Sequence, residues 1–270
     1  MQYLYPEGKR FALTFSYDDG QYFDRQLVDI FNRYGMKATF HLNSSRLGSG
    51  AEGELFVGRD EVKTLYQGHE VACHGVEHRN PLILTKQQML QELLDDRKEL
   101  ERITGGFVQG LSYAYGAYGK DVENVADVVG LKYSRTVNST HGFHVPENFL
   151  EWHPTCHHAD PRLMDLGRDL LNSPDWREIP LMYVWGHSFE FGRGNNWEII
   201  EEFCKLMQGH DEVWYATNLQ ICDYVNAMRN LVYSANGKKV YNPSVVSVWI
   251  KDRGQVIEVK PGMTVEVELG

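Results

Sequence analysis

The stretch Thr14–Gln21 reads TFSYDDGQ. A β-rich hydrophobic run, FALTFSY (11–17), ends here on two adjacent carboxylates, Asp18 and Asp19, and then a glycine. In a strand, neighbouring side chains leave on opposite faces, and adjacent like charges repel. Such a pair marks a solvated turn, a nearby cation, or a pair in which one carboxylate binds the cation and the other moves protons. Taken alone, DDG is more often a turn. The rest of the chain has to decide.

Outward from this point, strand and helix signals alternate over the first 230 residues. Phe23, Leu27, Ile30, Phe31 and Tyr34 repeat at helical spacing, with Gly35 placed as a C-cap. KATFHLN (37–43) alternates like a strand, DEVKTLYQG reads as a helix ending at Gly68, and HEVAC (69–73) is the next strand. Thr85 with Gln88 forms a capping-box pattern that opens the longest helix, and Gly105-Gly106 ends it. Strands are expected at 107–113, 131–137, 181–186 and 213–217, with helices near 120–129, 161–171, 196–208 and 218–230. Repeated βα units argue for an α/β fold, a parallel sheet or barrel covered by helices. The stretch 138–158 has no period and reads as a long loop. Beyond residue 231 the pattern turns to β. An Asn-Gly hairpin (VYSANGKKVY) is followed by the alternating runs SVWIKDRGQVIEV and TVEVEL. The expected division is a barrel over 1–230 and a small C-terminal β appendage over 231–270.

Composition narrows the partners. The 270 residues are 42% hydrophobic and 24% charged, as expected of a globular chain. A net charge of -10 without a Lys/Arg cluster argues against a nucleic-acid partner. No apolar run reaches membrane-spanning length. The opening MQYLYPEGKRF lacks a signal-peptide core, so the sequence as written leads us to expect a cytoplasmic protein. Cys73, Cys156, Cys204 and Cys222 have no CxxC spacing and read as reduced, buried thiols.

In α/β architectures, working residues gather at the C-terminal ends of parallel strands. Asp18 and Asp19 end the first strand. HEVAC runs into HGVEH, which sets His74 and His78 four apart, a spacing suited to chelation. LMYVWGH ends on His187. Each feature has a bland alternative: an exposed turn, two solvent-facing imidazoles, a structural histidine. Their arrival at three successive strand ends favours a site over coincidence.

The motifs TFSYDDGQ, GHEVACHGVEHRNP, YAYGAYG and MYVWGH resemble, in order and approximate spacing, those of the polysaccharide deacetylases, carbohydrate esterase family four. The likeness runs from about residue 11 to 190, and the βα rhythm extends it to about 230. It implies a distorted (β/α)7-type barrel and a divalent metal, zinc first, with cobalt, nickel or another divalent ion as alternatives. It implies hydrolysis of acetyl groups on an oligosaccharide or polysaccharide, N-acetyl ahead of O-acetyl. By that resemblance Asp19, His74 and His78 are the metal ligands, Asp18 the base and His187 the general acid. Tyr115 corresponds to the third motif's tyrosine, beside the oxyanion.

The third motif's arginine falls on Ser112 and its proline on Ala114, and Arg135 is a candidate replacement guanidinium. Trp152 and Trp185 are candidates for the substrate pocket, each with a core tryptophan as the alternative. His153, His157 and His158 are candidates for substrate binding, with loop decoration as the favoured alternative. Two other functions stay open: hydrolysis of a small non-sugar amide on the same site, and a catalytically inactive carbohydrate-binding protein. Exposed strands in the appendage offer edges for a homo-oligomer.

Overall fold

The computed structural model describes residues 1–50, 55–174 and 179–268. After β1 (Gln2–Leu4), the barrel is built from parallel strands β2 (Phe11–Asp19), β3 (Ala38–Leu42), β4 (Glu70–Cys73), β5 (Gly110–Ser112), β6 (Tyr133–Arg135), β7 (Cys156–His157) and β8 (Leu181–His187). They run in the order β6-β5-β4-β3-β2-β8-β7. The remaining gap is bridged within the stretch expected to be a loop. Trp152 pairs with Arg135, and four residues on, Cys156 and His157 pair with Val184 and Trp185. The fold is therefore the distorted seven-stranded barrel expected. A further strand, β9 (Val213–Tyr215), pairs with β2 at Phe11–Leu13, below the point where β3 begins.

The helices are α1 (Asp24–Arg33), α2 (Val62–Leu65), α3 (Lys86–Thr104), α4 (Lys120–Val128), α5 (Leu163–Leu171), α6 (Ser188–Gly194), α7 (Glu198–Met207) and α8 (Asn218–Arg229). α3 starts and stops where its capping signals stand: Thr85 and Gln88 cap each other, and Gly105 is left-handed. α2 is a single turn, shorter than its sequence suggested. α6 was not anticipated.

The two-residue period of β2 sorts its side chains. Leu13, Phe15 and Tyr17 point outward into the core under the helices, with Phe15 packed on Phe31 at 4.7 Å between ring centroids. Thr14, Ser16 and Asp18 point into the lumen. That lumen is polar and hydrogen-bonded rather than oily. At its amino end the first turn of α8 acts as a plug: Thr14 donates to Asn218 at 2.8 Å, and the Asn218 N–H donates to Thr39 at 3.0 Å. Thr39 and Tyr133 both donate to the buried carboxylate of Glu70. Burial raises Glu70 above the usual carboxylate range, and these donors offset part of the penalty.

The C-terminal strands are β10 (Val232–Tyr233), β11 (Lys239–Tyr241), β12 (Val248–Asp252), β13 (Gln255–Val259) and β14 (Thr264–Glu266). The Asn-Gly hairpin forms as read, with Gly237 at φ 69. Leu269, at the end of the last run, lies outside the described residues. β12 lies between β13 and β1, so the chain's first strand belongs to this sheet. The Tyr224 hydroxyl ties β1 and β12 to α8, donating to the Leu4 carbonyl and accepting from Trp249 N–H. Tyr5, Tyr224, Val248 and Ile250 share one apolar cluster with Tyr183 of the barrel.

Candidate active site

Asp19 ends β2 in a left-handed conformation (φ 79), and Gly20 follows at φ 69, where a Cβ would lie 2.7 Å from the Leu42 side chain. The turn thus rotates Asp19 toward the residues after β4. Its Oδ1 lies 3.7 Å from both His74 Nε2 and His78 Nε2. Tautomers decide whether these rings can be ligands. His74 Nδ1 sits 2.9 Å from the Ser112 carbonyl, which only accepts, so Nδ1 carries the proton and Nε2 keeps its lone pair. One carboxylate and two imidazoles with open positions between them fit a divalent cation.

Helix α3 holds this turn from behind. Asp96, fully buried, accepts N–H bonds from Ser44 (2.9 Å), His74 (3.0 Å) and Gly75 (2.9 Å). Glu92 accepts from the Glu77 N–H at 2.7 Å. Burial pushes Asp96 up to about 6, and the bonds it accepts hold it from going further. Between these clamps His78 keeps a left-handed backbone (φ 59), a strain of the kind found at functional sites.

Asp18 points into the lumen, with its Oδ2 3.8 Å from His74 Nε2. It is 3% exposed and accepts from Arg135 Nη2. Arg135 is fully buried. Its Nε donates to Ser16 at 3.0 Å and its Nη1 to the Thr136 carbonyl at 3.1 Å. Trp185 covers the guanidinium at 4.4 Å. Burial pushes Asp18 up, but Arg135, followed by His74, His41 and His187, outweighs it and holds the carboxyl well below its usual range. Ser112 pairs with Arg135 across β5 and β6, so a guanidinium is supplied one strand away from where the motif would carry it.

His187 ends β8 in register with Asp18. Glu190, in the first turn of α6, accepts from the His187 N–H at 3.2 Å, and its Oε2 lies 3.5 Å from His187 Nδ1. The same oxygen lies 3.1 Å from His157 Nε2 and 3.2 Å from His158 Nε2. Burial lowers His187, but Glu190, Asp18 and Asp19 turn the net shift upward, toward the imidazolium. His157, His187 and Glu190 also lie close enough together to hold a metal. Here the tautomer points the other way. His157 Nδ1 accepts from Ala159 N–H at 3.1 Å, which places its proton on Nε2, facing Glu190. This second cluster is a hydrogen-bonded hub centred on a carboxylate.

Residues 5–134 match the profile of the family described as polysaccharide deacetylase. Over these residues, just under half of its length, the chain is similar to the polysaccharide deacetylase family. A "Probable peptidoglycan-N-acetylglucosamine deacetylase" of Arthroderma benhamiae is 30% identical over 97 residues, which are 36% of this chain and 21% of that protein. The chain thus spans about a fifth of that relative's length. A "probable Polysaccharide deacetylase" from Pseudomonas aeruginosa has a similar structure, with TM-score 0.61 and 16% identity over 81% of this chain and 91% of that one. A family 4 acetyl xylan esterase from Clostridium thermocellum, solved with a cobalt ion, gives TM-score 0.53 and 12% identity over 79% and 91% of the two chains.

The other expected residues divide. Tyr115 is 67% exposed at φ 60, its ring 4.5 Å from that of His78, on the rim of the candidate site. Trp185 lies at the site, its ring edge-on to His157 at 4.7 Å and 5.9 Å from His187. Trp152 does not line a pocket. It is 1% exposed and packs on Tyr133, Phe149 and Tyr183, because the bridge to Arg135 turns it into the core. Arg135, also expected near substrate, is sealed beneath Asp18 with no exposed surface. His157 and His158, read as decoration, instead converge on Glu190.

Asp96, Glu190 and His41 went unnoticed in the sequence. His41 lies in the lumen near Asp18, with Nδ1 3.1 Å from the Cys73 carbonyl, and burial pushes it down to about 3, so it is neutral. Asp96 had left a signal: it falls on the Met89, Leu93, Leu100 stripe of α3, where a carboxylate has no business unless it caps something.

Proposed function

We propose that this chain is a metal-dependent hydrolase that removes acetyl groups from a saccharide, N-acetyl ahead of O-acetyl. One observation carries the reading: the adjacent carboxylates share His74 but differ in their second partner, Asp19 taking His78 and Asp18 a buried arginine. Asp19, His74 and His78 would hold the cation, zinc first. When bound, the cation polarises the acetyl carbonyl and lowers the pKa of water.

The remaining work falls to the chain. Asp18, kept ionised by Arg135, takes the proton from the water that adds to the acetyl carbon. The Glu190 carboxylate, 3.5 Å from His187 Nδ1, favours a proton on that nitrogen, leaving Nε2 to deliver a proton to the departing nitrogen or oxygen. The Tyr115 turn is where we place a backbone donor for the tetrahedral oxyanion.

The test is acetate release from short N-acetylated and O-acetylated oligosaccharides, with metal-stripped protein compared with protein reloaded with zinc or cobalt. Acetate only with metal, lost in Asp18→Asn while one metal per chain still binds, is the expected result. No acetate from any saccharide, with metal bound, would sink the reading and move the search to small amides.

A further inference from the structure

Beside the cluster of Asp19, His74 and His78 opens a cavity of about 450 Å³, the size of a small-molecule subsite. His78 and Tyr115 form its inner wall, and Ile83, 80% exposed, forms part of its rim. An exposed isoleucine and a tyrosine face suit the apolar face of a sugar ring. The charges are less expected. Arg46 and Arg79 both line the cavity against a single carboxylate, Glu77. Arg79 is neutralised by Glu77, its Nε 2.8 Å from Oε2. Arg46 is not. It donates to the Glu77 carbonyl at 3.3 Å and lies 5.7 Å from the Phe56 ring, and among the described residues no carboxylate pairs with it. In a chain of net charge -10, Arg46 thus stands over the cavity without a carboxylate partner among the described residues, next to Asp19, His74 and His78.

We infer that this cavity is the subsite beside the scissile acetyl group, and that Arg46 selects a saccharide bearing an anionic group there, a carboxylate or a phosphate. The inference rests on the proposed deacetylase reading. Guanidinium forks pair with both anions, so the shared chemistry is the negative charge presented to the fork.

The test uses the metal-reloaded full chain and three probes: a neutral N-acetylglucosamine disaccharide, the same disaccharide carrying a carboxylate, and the same carrying a phosphate. Acetate release gives kcat/KM for each, and calorimetry gives the affinity of the deacetylated counterparts. The expected result is a preference of about tenfold for one anionic probe in both measurements, as a charge-assisted hydrogen bond supplies. That preference should shrink in high salt. Arg46→Gln should bring the ratio to about one, and Arg46→Lys, which retains the charge, should keep part of it. Whichever anion is favoured names the source. Equal affinity and equal kcat/KM for neutral and anionic probes in the unmodified protein would overturn the inference, as would a preference that survives Arg46→Gln. No acetate from any probe would count against the deacetylase reading alone, because the calorimetry still decides for or against Arg46.

Discussion

Arg135→Met is the substitution with the most at stake, because it removes the only guanidinium that touches Asp18 among the described residues while roughly keeping the side-chain length. Arg135 makes three bonds in the lumen, to Ser16, Thr136 and Asp18, and none reaches solvent. Removing one member of a buried ion pair costs about 3–5 kcal/mol, since the other charge stays buried. The pH dependence sharpens this. In the native chain Asp18 is depressed below its unfolded value, so its stabilisation is present above pH ~4 and lost only in stronger acid. Without Arg135, burial dominates and the Asp18 pKa rises, so the variant loses stability as pH rises through the new value. Urea unfolding of metal-stripped protein should therefore show a larger deficit at pH 8 than at pH 4. In the metal-loaded enzyme the acid limb of kcat/KM should move up by about 1–3 pH units. A pH-independent deficit together with full turnover and an unmoved acid limb would refute the coupling.

Other expectations follow from the surrounding groups. Asp96→Asn sets an amide NH2 against backbone N–H groups, and should cost about 3 kcal/mol in denaturant unfolding and about tenfold in metal affinity by competition titration. Glu190→Gln removes the carboxylate acceptor that does most to hold His187 up, so the alkaline limb of kcat/KM should move to lower pH by about one unit, with metal stoichiometry unchanged. Asp24, buried beneath Ser188 and Tyr66, is pushed up to about 7 by burial, with those hydroxyls opposing. Its folded pKa exceeds the unfolded one, so its contribution to stability falls as pH rises from about 4 to about 7. Asp24→Asn should flatten that slope in urea midpoints taken across the same range.

The barrel was legible because strand alternation and helix punctuation agree: Thr85, Gln88 and Gly105 delimit α3, and the strand ends deliver Asp19, His74, His78 and His187 to one face. What stayed hidden depends on which way a side chain points. SFEFGRG, with two glycines and two aromatics, lacks a clear helical period, so α6 and Glu190 were lost together. DDRKE in α3 looks like a solvated face, and only the Met89, Leu93, Leu100 stripe sets Asp96 inside apart from Asp95 outside. Trp152 sits in a stretch without period, where nothing local separates a pocket wall from a barrel seam. The lost third-motif arginine misleads in a line of letters because Ser112 and Arg135 are neighbours only across a sheet.

The pairing of Gln2 with Lys251 has a consequence for synthesis. A ribosome releases β1 nearly a whole chain before β12 exists. Until then the apolar side of β1 and the rings of Tyr5 and Tyr224 wait without their cover, although the barrel strands have all emerged. Closing this sheet is therefore a clasp, in which the later-made β12 and β13 shut on the much earlier β1. Nascent chains stalled before β12 should be open to proteases at this end and rely on chaperones, however well the catalytic end has formed.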